Sequence, residues 1–374
     1  MRMDKTRAWI ELDRAALAHN VAVLSGLLPR GCALMPAVKA NAYGHGAVLI
    51  SRELNALGVD HFCVATAPEG VELRAHGVEG EILVLGYTHP EQFPLLNRYS
   101  LTQTVLDEGY ARLLNGCGET LDVHVKLDTG MHRLGERSER LDALCRIFAC
   151  ENLRVTGAFT HLCADDTRSP RDKAFTQAQG RAFYDAVARL RAMGHNCGRV
   201  HLLASYGLLN YPELGGDYAR IGIALYGVLS TKADEEASAL DLRPVLSLKA
   251  RVALVKDLYR GEGAGYGLQY TAPRDGRLAV LAIGYADGLP RGLSCGAGSA
   301  LIRGHRVPIV GRVCMDQALV DVTALPEVRA GDEAVLIGAD GGEAIAASAL
   351  AEATGTITNE LLSRLGGRLA RGMA

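Results

Sequence analysis

Met35-Pro36-Ala37-Val38-Lys39-Ala40-Asn41-Ala42-Tyr43-Gly44-His45-Gly46 decides how this chain is read. Met35 to Val38 is an apolar run of the kind that ends a buried strand. Lys39 follows directly, then small residues, a tyrosine and a glycine-bearing turn. A lysine so placed stands at the carboxyl end of a strand, beside a loop that a ligand can approach closely. That is where a β/α barrel keeps its chemistry. Lysine also forms Schiff bases with carbonyl compounds, pyridoxal 5'-phosphate (PLP) among them. The plainer alternative is a lysine that merely caps a strand.

Outward from this stretch, short apolar runs alternate with helical patterns. Ala33–Val38, Phe62–Ala65, Ile82–Leu85, Thr102–Val105, Leu121–Leu127, Val155–Thr160 and Arg199–Leu203 read as strands, and Ala15–Leu28, Ala67–Ala75 and Ala174–Met193 as helices. Pro68 suits the first turn of its helix, and Glu69 and Glu72 its N-terminal half. Such alternation over residues 14–240 fits a (β/α)8 TIM-like barrel. A doubly wound sheet alternates too, but no GxGxxG opens a helix after the first strand. Gly261 to Gly267 has the wrong spacing, and its neighbours read as strands.

The texture changes near residue 240. Leu246–Val255, Leu278–Ile283, Ala300–Ile302, Val307–Val313, Ala318–Val322 and Glu333–Ile337 are β-rich and joined by Gly, Pro and Asp turns. Residues 241–374 therefore read as an all-β C-terminal domain, to which residues 1–13, with the strand Ala8–Leu12, are assigned. A helix at Ala344–Ala353 and a basic stretch, Leu361–Arg371, close the chain.

The bulk numbers exclude several classes. The chain has 374 residues, 48% hydrophobic and 22% charged, with a formal net charge of -2, as in ordinary globular proteins. No basic stripe points to nucleic acid. Nine cysteines without CxxC or paired His/Cys spacing read as reduced thiols of a cytoplasmic protein rather than a disulfide framework or metal site. No apolar run approaches the ~18 residues that cross a bilayer. The N-terminus, Met1-Arg2-Met3-Asp4-Lys5, lacks a signal peptide's apolar core. The chain is thus either a complete cytoplasmic protein or a domain of something longer.

Five further motifs accompany Lys39. They are Val123-His124-Val125-Lys126-Leu127-Asp128-Thr129-Gly130-Met131-His132-Arg133-Leu134-Gly135; Gly157-Ala158-Phe159-Thr160-His161; His201-Leu202-Leu203-Ala204-Ser205; and Asp217-Tyr218-Ala219-Arg220-Ile221-Gly222-Ile223-Ala224-Leu225-Tyr226-Gly227. The fifth is a set in the β-rich part: Gly265-Tyr266-Gly267, Gly284-Tyr285-Ala286-Asp287-Gly288 and Gly311-Arg312-Val313-Cys314-Met315-Asp316-Gln317. Each is weak singly. Together, in this order and over essentially the whole chain, they resemble alanine racemase, a PLP enzyme with a TIM-like barrel and a β-domain.

The resemblance implies an isomerase. Lys39 takes the place of the family's Schiff-base lysine and Tyr266 that of its catalytic tyrosine. Racemisation removes the Cα proton from one face and returns it on the other, which two bases on opposite faces do most directly. A phenol with a pKa near 10 is a poor base unless neighbours stabilise its anion, a task the resemblance gives to His161 and Arg220. Arg220 would face the pyridine nitrogen. An arginine does not surrender its proton, so the ring stays a weak electron sink and side reactions are suppressed. The alternative for Arg220 is a surface ion pair with Asp217, and for Tyr266 a structural role. Tyr43, Ser205 and the backbone N–H groups of Gly222 and Ile223 would hold the phosphate. Arg133 and Met315 would hold the substrate carboxylate. Lys126 aligns with a lysine that the family often carries as a carbamate. The family works as a homodimer, with Tyr266 and Met315 reaching the partner's Lys39.

One departure bears on substrate. Where Thr356-Ile357-Thr358-Asn359-Glu360-Leu361-Leu362 carries Asn359, alanine racemases typically carry a tyrosine. Asparagine is smaller and offers both a donor and an acceptor. It leaves room for a hydroxymethyl group, so Asn359 is a candidate substrate-binding residue. In this the chain resembles the serine racemases of vancomycin resistance, which carry a racemase domain behind a membrane domain. The expectation is racemisation of serine and alanine, supplying D-serine for modified cell-wall precursors, with an ordinary alanine racemase as the alternative and a PLP carrier protein behind it. His132 and Ala204 depart from a common glycine and asparagine.

Overall fold

The computed structural model describes residues 4–167 and 169–374. Contacts divide the chain into two units: residues 21–42 with 50–225, and residues 1–20, 43–49 and 226–374.

The first unit is a (β/α)8-like barrel. Its strands follow one another around a ring as Ala33–Leu34 (with an isolated bridge at Ala37), His61–Val64, Glu81–Val84, Thr102–Val105, Leu121–Asp128, Leu153–Phe159, Arg199–His201 followed by Leu203–Ala204, and Tyr218–Arg220. All neighbouring pairs are parallel. The ring closes through the first strand. Met35 donates to the carbonyl of Ala219 on one side, and Ala37 bridges Cys63 on the other. Pairing there is sparse because Pro36 has no N–H to give, although its carbonyl accepts from Cys63 at 2.8 Å.

Most bounds lie within a few residues of expectation, and Thr102–Val105 and Ala67–Ala75 coincide with it. Caps explain the helix starts. Thr66 and Glu69 form a reciprocal capping box on Ala67–Ala75. Ser169 accepts from the N–H of Asp172 at 3.1 Å, so the long helix runs Pro170–Ala192 and starts ahead of Ala174. The strand Tyr218–Arg220 was not anticipated. Three residues ending in arginine display no apolar run, and only the barrel's closure makes them a strand. The barrel interior is unusually polar: His124, Lys126, His201 and Arg220 are all buried on its strands. Gly157 makes this feasible, since a Cβ there would lie 2.6 Å from Nε2 of His124.

The second unit is mainly β. Leu246–Leu258, Gly276–Leu281, Ala318–Asp321, His305–Val310, Ser299–Ile302 and Glu333–Asp340 pair antiparallel in that order, and the last pairs back to the first. The 13-residue strand Leu246–Leu258 can serve two neighbours because its register shifts at Leu248/Lys249 and Val252/Leu254. Ala8–Leu12 pairs antiparallel with this strand and parallel with Ala370–Met373. Trp9, Ile10 and Leu12 are fully buried. The helix expected at Ala344–Ala353 starts at Ala347, because Glu343–Ile345 is a strand. Among the described residues no helix is long and apolar enough to cross a membrane, and no group of three or more His, Cys, Asp or Glu is placed to hold a metal.

Candidate functional site

Lys39 opens a turn of unusual hand. Ala40, Asn41, Ala42 and Tyr43 all have φ between 50° and 55°. Consecutive left-handed residues are disfavoured for L-amino acids by roughly 1–2 kcal/mol each, so surrounding contacts must hold them. Ala42 N–H donates to Val38 at 2.8 Å, and Ala40 N–H donates to the Glu69 carboxylate at 2.7 Å. Burial, then the charge of Arg133, pulls the Lys39 amine below the usual lysine range, against the opposing influence of Cys63 and Glu69. A larger share of nucleophilic neutral amine results.

Arg220 is 5% exposed and thoroughly gripped. Its Nη2 donates to the carbonyl of Thr160 at 2.7 Å and that of Leu202 at 3.3 Å, and lies 3.4 Å from Nδ1 of His161. Its Nη1 lies 2.6 Å from Nδ1 of His201. The guanidinium carbon sits 5.0 Å from the Phe159 ring centre, and Lys126 Nζ 5.8 Å from it. Burial lowers Arg220 to about 10, so it stays a cation at neutral pH. The surface pairing with Asp217 does not occur. Asp217 accepts instead from Val200 N–H and lies 3.8 Å from Arg199.

The other barrel residues named from sequence cluster electrostatically around these two. Burial, then Arg220 and Lys126, holds His161 well below the ordinary histidine range, so its imidazole is neutral. Burial, then Arg133 and Arg220, brings Lys126 down to about 8. Arg133 itself is exposed, in a loop stitched by Asp128, whose Oδ1 accepts from Gly130 and His132 N–H at 3.0 Å each. His132, left-handed at φ 54°, places its Nδ1 2.9 Å from Oδ2 of the same carboxylate. Ser205 begins the helix Ser205–Asn210, and its Oγ accepts from Gly222 N–H at 3.0 Å and Ala224 N–H at 3.4 Å. Ile223 begins a short 3₁₀ turn, Ile223–Tyr226. A hydroxyl flanked by the starts of two helical turns suits an anion such as a phosphate ester. The set fits PLP: an amine for the aldehyde, an anion cradle, and a fixed cation for the ring.

The second unit holds the remaining candidates. The Tyr43 ring packs 5.3 Å from that of Tyr226, and His45 stacks on Tyr226 at 4.3 Å. The adjoining Gly44, at φ 81°, admits no side chain, since a Cβ would fall 2.0 Å from the carbonyl oxygen of Leu362. Tyr266 is 68% exposed, between Gly265 at φ 76° and Gly267 at φ 70°. Met315 is 52% exposed, and Leu268 and Tyr285 are exposed as well. The Met315 loop is pinned by Tyr285 N–H to Cys314 and Ala286 N–H to Met315, at 3.0 and 2.9 Å. Only glycine fits at 284, where a Cβ would lie 2.4 Å from both carbonyl oxygens. Asn359 sits in the first turn of Thr358–Ser363, and its buried Oδ1 has no hydrogen-bond partner among the described residues.

Sequence reasoning missed Thr160, Phe159 and His201 as the holders of Arg220, and saw Glu69 only as a helix-start charge. His201 opened a motif; the cage as a whole carries no linear signal.

Residues 12–230 match the family described as alanine racemase, N-terminal domain, and residues 245–373 its C-terminal domain. An amino-acid racemase of Enterococcus faecalis is 44% identical over 98% of this chain and 51% of its own length. A serine/alanine racemase of Enterococcus gallinarum is 38% identical over 97% of this chain and 51% of its own. The chain thus spans about half the length of these curated relatives. An alanine racemase of Desulfovibrio desulfuricans is 40% identical over 97% of both chains. Among solved structures, alanine racemase from Clostridium difficile 630 superposes with a TM-score of 0.92 at 32% identity, covering 99% of this chain and 96% of that one.

Proposed function

The chain belongs to the alanine racemase family, and we propose that it is a PLP-dependent amino-acid racemase with alanine as a substrate. What carries the reading is a lysine amine with a lowered pKa at a strand end, in the same barrel as a caged, permanently charged arginine. When bound, PLP offers an aldehyde for an amino group and a conjugated ring that acidifies the substrate Cα–H.

Lys39 would hold the cofactor and, released by the incoming amine, take or return the proton on one face. Tyr266 would serve the other face. Ser205, with the N–H groups of Gly222 and Ile223 and the hydroxyl of Tyr43, would bind the phosphate. Arg220 would donate to the ring nitrogen and keep it unprotonated, and neutral His161 would lie between Arg220 and the phenol. Arg133 and the backbone of Met315 would orient the carboxylate, with Lys126, carbamylated, bridging to Arg133. The exposed Tyr266, Leu268, Tyr285 and Met315 fit a surface that a second copy covers. The working form would be a homodimer in which each copy completes the other's site, so an active monomer in gel filtration would refute that arrangement.

A second reading adds serine as a substrate. It rests on Asn359, whose unpartnered Oδ1 is an acceptor for a substrate hydroxyl. A role in supplying D-serine for altered cell-wall precursors depends on that residue alone. The test is the decay of circular dichroism from L-alanine and L-serine with PLP present. Decay of alanine alone supports the first reading, decay of both supports the second, and decay of neither defeats both.

A further inference from the structure

A chain of polar side chains crosses the barrel core beyond Arg220. Nη1 of Arg220 lies 2.6 Å from Nδ1 of His201. Nε2 of His201 lies 2.9 Å from Nδ1 of His124. Nε2 of His124 lies 3.0 Å from Oε1 of Glu81, close in distance though off the ideal hydrogen-bond line. His201 and His124 are 0% and 1% exposed. Glu81 also faces Nδ1 of His61 at 3.4 Å and the hydroxyl of Tyr218.

Donor and acceptor bookkeeping leaves one arrangement of protons. A guanidinium only donates, so Nδ1 of His201 accepts and its proton is on Nε2. That proton goes to Nδ1 of His124, which must then carry its own on Nε2. An ionised carboxylate only accepts, so the Nε2 proton of His124 lies on the side of Glu81, whose Oε1 is 3.0 Å away. Every donor is directed away from the catalytic site toward one acid. Burial resists ionisation of Glu81, but His124 and His61 outweigh it and hold the acid well below the usual carboxylate range.

Arg220 needs such a partner. A buried cation without a countercharge is costly. Among the described residues no carboxylate lies within ion-pair distance of Arg220. Of the groups that face it, the Cys63 thiol is raised by burial to about 12 and stays neutral, and Asp165, raised to about 6, is an anion at neutral pH but forms no ion pair with the guanidinium. We propose that Glu81 is the remote countercharge of Arg220, a positioning residue that acts on the racemase site through His124 and His201. This rests on the reading of Arg220 as the group facing the cofactor ring.

The test compares the PLP-loaded wild type with Glu81→Gln, which keeps the shape and removes the charge, and Glu81→Asp, which keeps the charge. With the charge gone, Arg220 bears harder on the cation at the Lys39 nitrogen. The pH midpoint of the cofactor's visible absorption band should fall by on the order of half a unit in Glu81→Gln. It should stay near the wild-type value in Glu81→Asp. Coincident midpoints in all three, with unchanged melting temperatures, would reduce Glu81 to packing and overturn the proposal. Nitrogen-15 NMR of the histidines decides the relay whether or not the chain takes up cofactor. Protons on Nε2 of both His201 and His124, with the His124 proton moving upfield in Glu81→Gln, are expected. A proton on Nδ1 of His201 would overturn the relay. A chain with the expected NMR pattern that binds no PLP would instead sink the racemase reading and leave the relay standing.

Discussion

Glu69 accepts the backbone N–H of Ala40 through Oε1 at 2.7 Å, while its Oε2 takes the N–H groups of Ala65 and Thr66 at 2.7 and 3.2 Å. One carboxylate thus caps a helix and restrains the left-handed turn behind Lys39. Glu69→Ala should lower stability by about 1–2 kcal/mol and weaken PLP retention. Thermal unfolding with and without PLP checks both. An equal drop in the two states would confine Glu69 to capping.

Lys126 at about 8 has an appreciable neutral fraction just above neutral pH. Only neutral amine reacts with carbon dioxide. Carbamate formation should therefore increase as pH rises through about 8 and vanish in Lys126→Met. Carbon-13 NMR with labelled bicarbonate reads it directly, and a signal surviving in the variant would place the adduct elsewhere.

On the serine reading, Asn359→Tyr replaces the amide, with its unpartnered Oδ1, by a larger side chain. Serine turnover should fall relative to alanine turnover by roughly tenfold to a hundredfold. Parallel polarimetry on the two amino acids provides the ratio. Equal losses would mean that Asn359 does not select substrate.

Asp287, fully buried, receives both terminal nitrogens of Arg7 at 2.7 Å, Arg368 at 3.3 Å and the N–H of Gly284 at 3.0 Å. Removing the acid takes both carboxylate bonds from Arg7 and leaves the N–H of Gly284 without its acceptor beside the Met315 loop, while Arg368 keeps its pair with Asp316. Because both arginines are partly exposed and keep contacts to Asp316, Asp287→Ala should cost about 1–3 kcal/mol in urea unfolding. A loss under about 1 kcal/mol would class the cluster with ordinary surface pairs.

Glu11 is resisted by burial, yet Lys249, Lys5 and the Trp9 indole bring it down to about 2. A carboxylate with a depressed folded-state pKa stabilises above its unfolded value of ~4.3, and the contribution disappears as pH falls toward the folded value. Glu11→Gln should melt earlier than wild type at neutral pH, and the two curves should converge near pH 2. A constant gap across that range would exclude the linkage.

The candidate site was legible in part because barrel chemistry sits at strand ends. Lys39, His161 and Ser205 each follow an apolar run, whereas Arg220 does not, and the order of the motifs carried the family resemblance. The functional parts that were not legible depend on separation in sequence. Glu81, His124 and His201 stand on three different strands, and none forms a motif with the others.

The sequence by itself determined the fold class. Alternation of apolar runs with helical periods, followed by strands alone, leaves few ways to bury the apolar faces. Caps such as Thr66 with Glu69 set local boundaries, because their partners are neighbours in the chain. Tertiary structure alone decided the left-handed turn at Ala40–Tyr43, against the intrinsic preference of alanine, because long-range contacts outweigh that local penalty. It also decided the strand at Tyr218–Arg220 and the direction of the protons between Arg220 and Glu81. Those features arise from barrel closure, which brings distant strands within a few ångströms in a dry interior where every donor must find an acceptor.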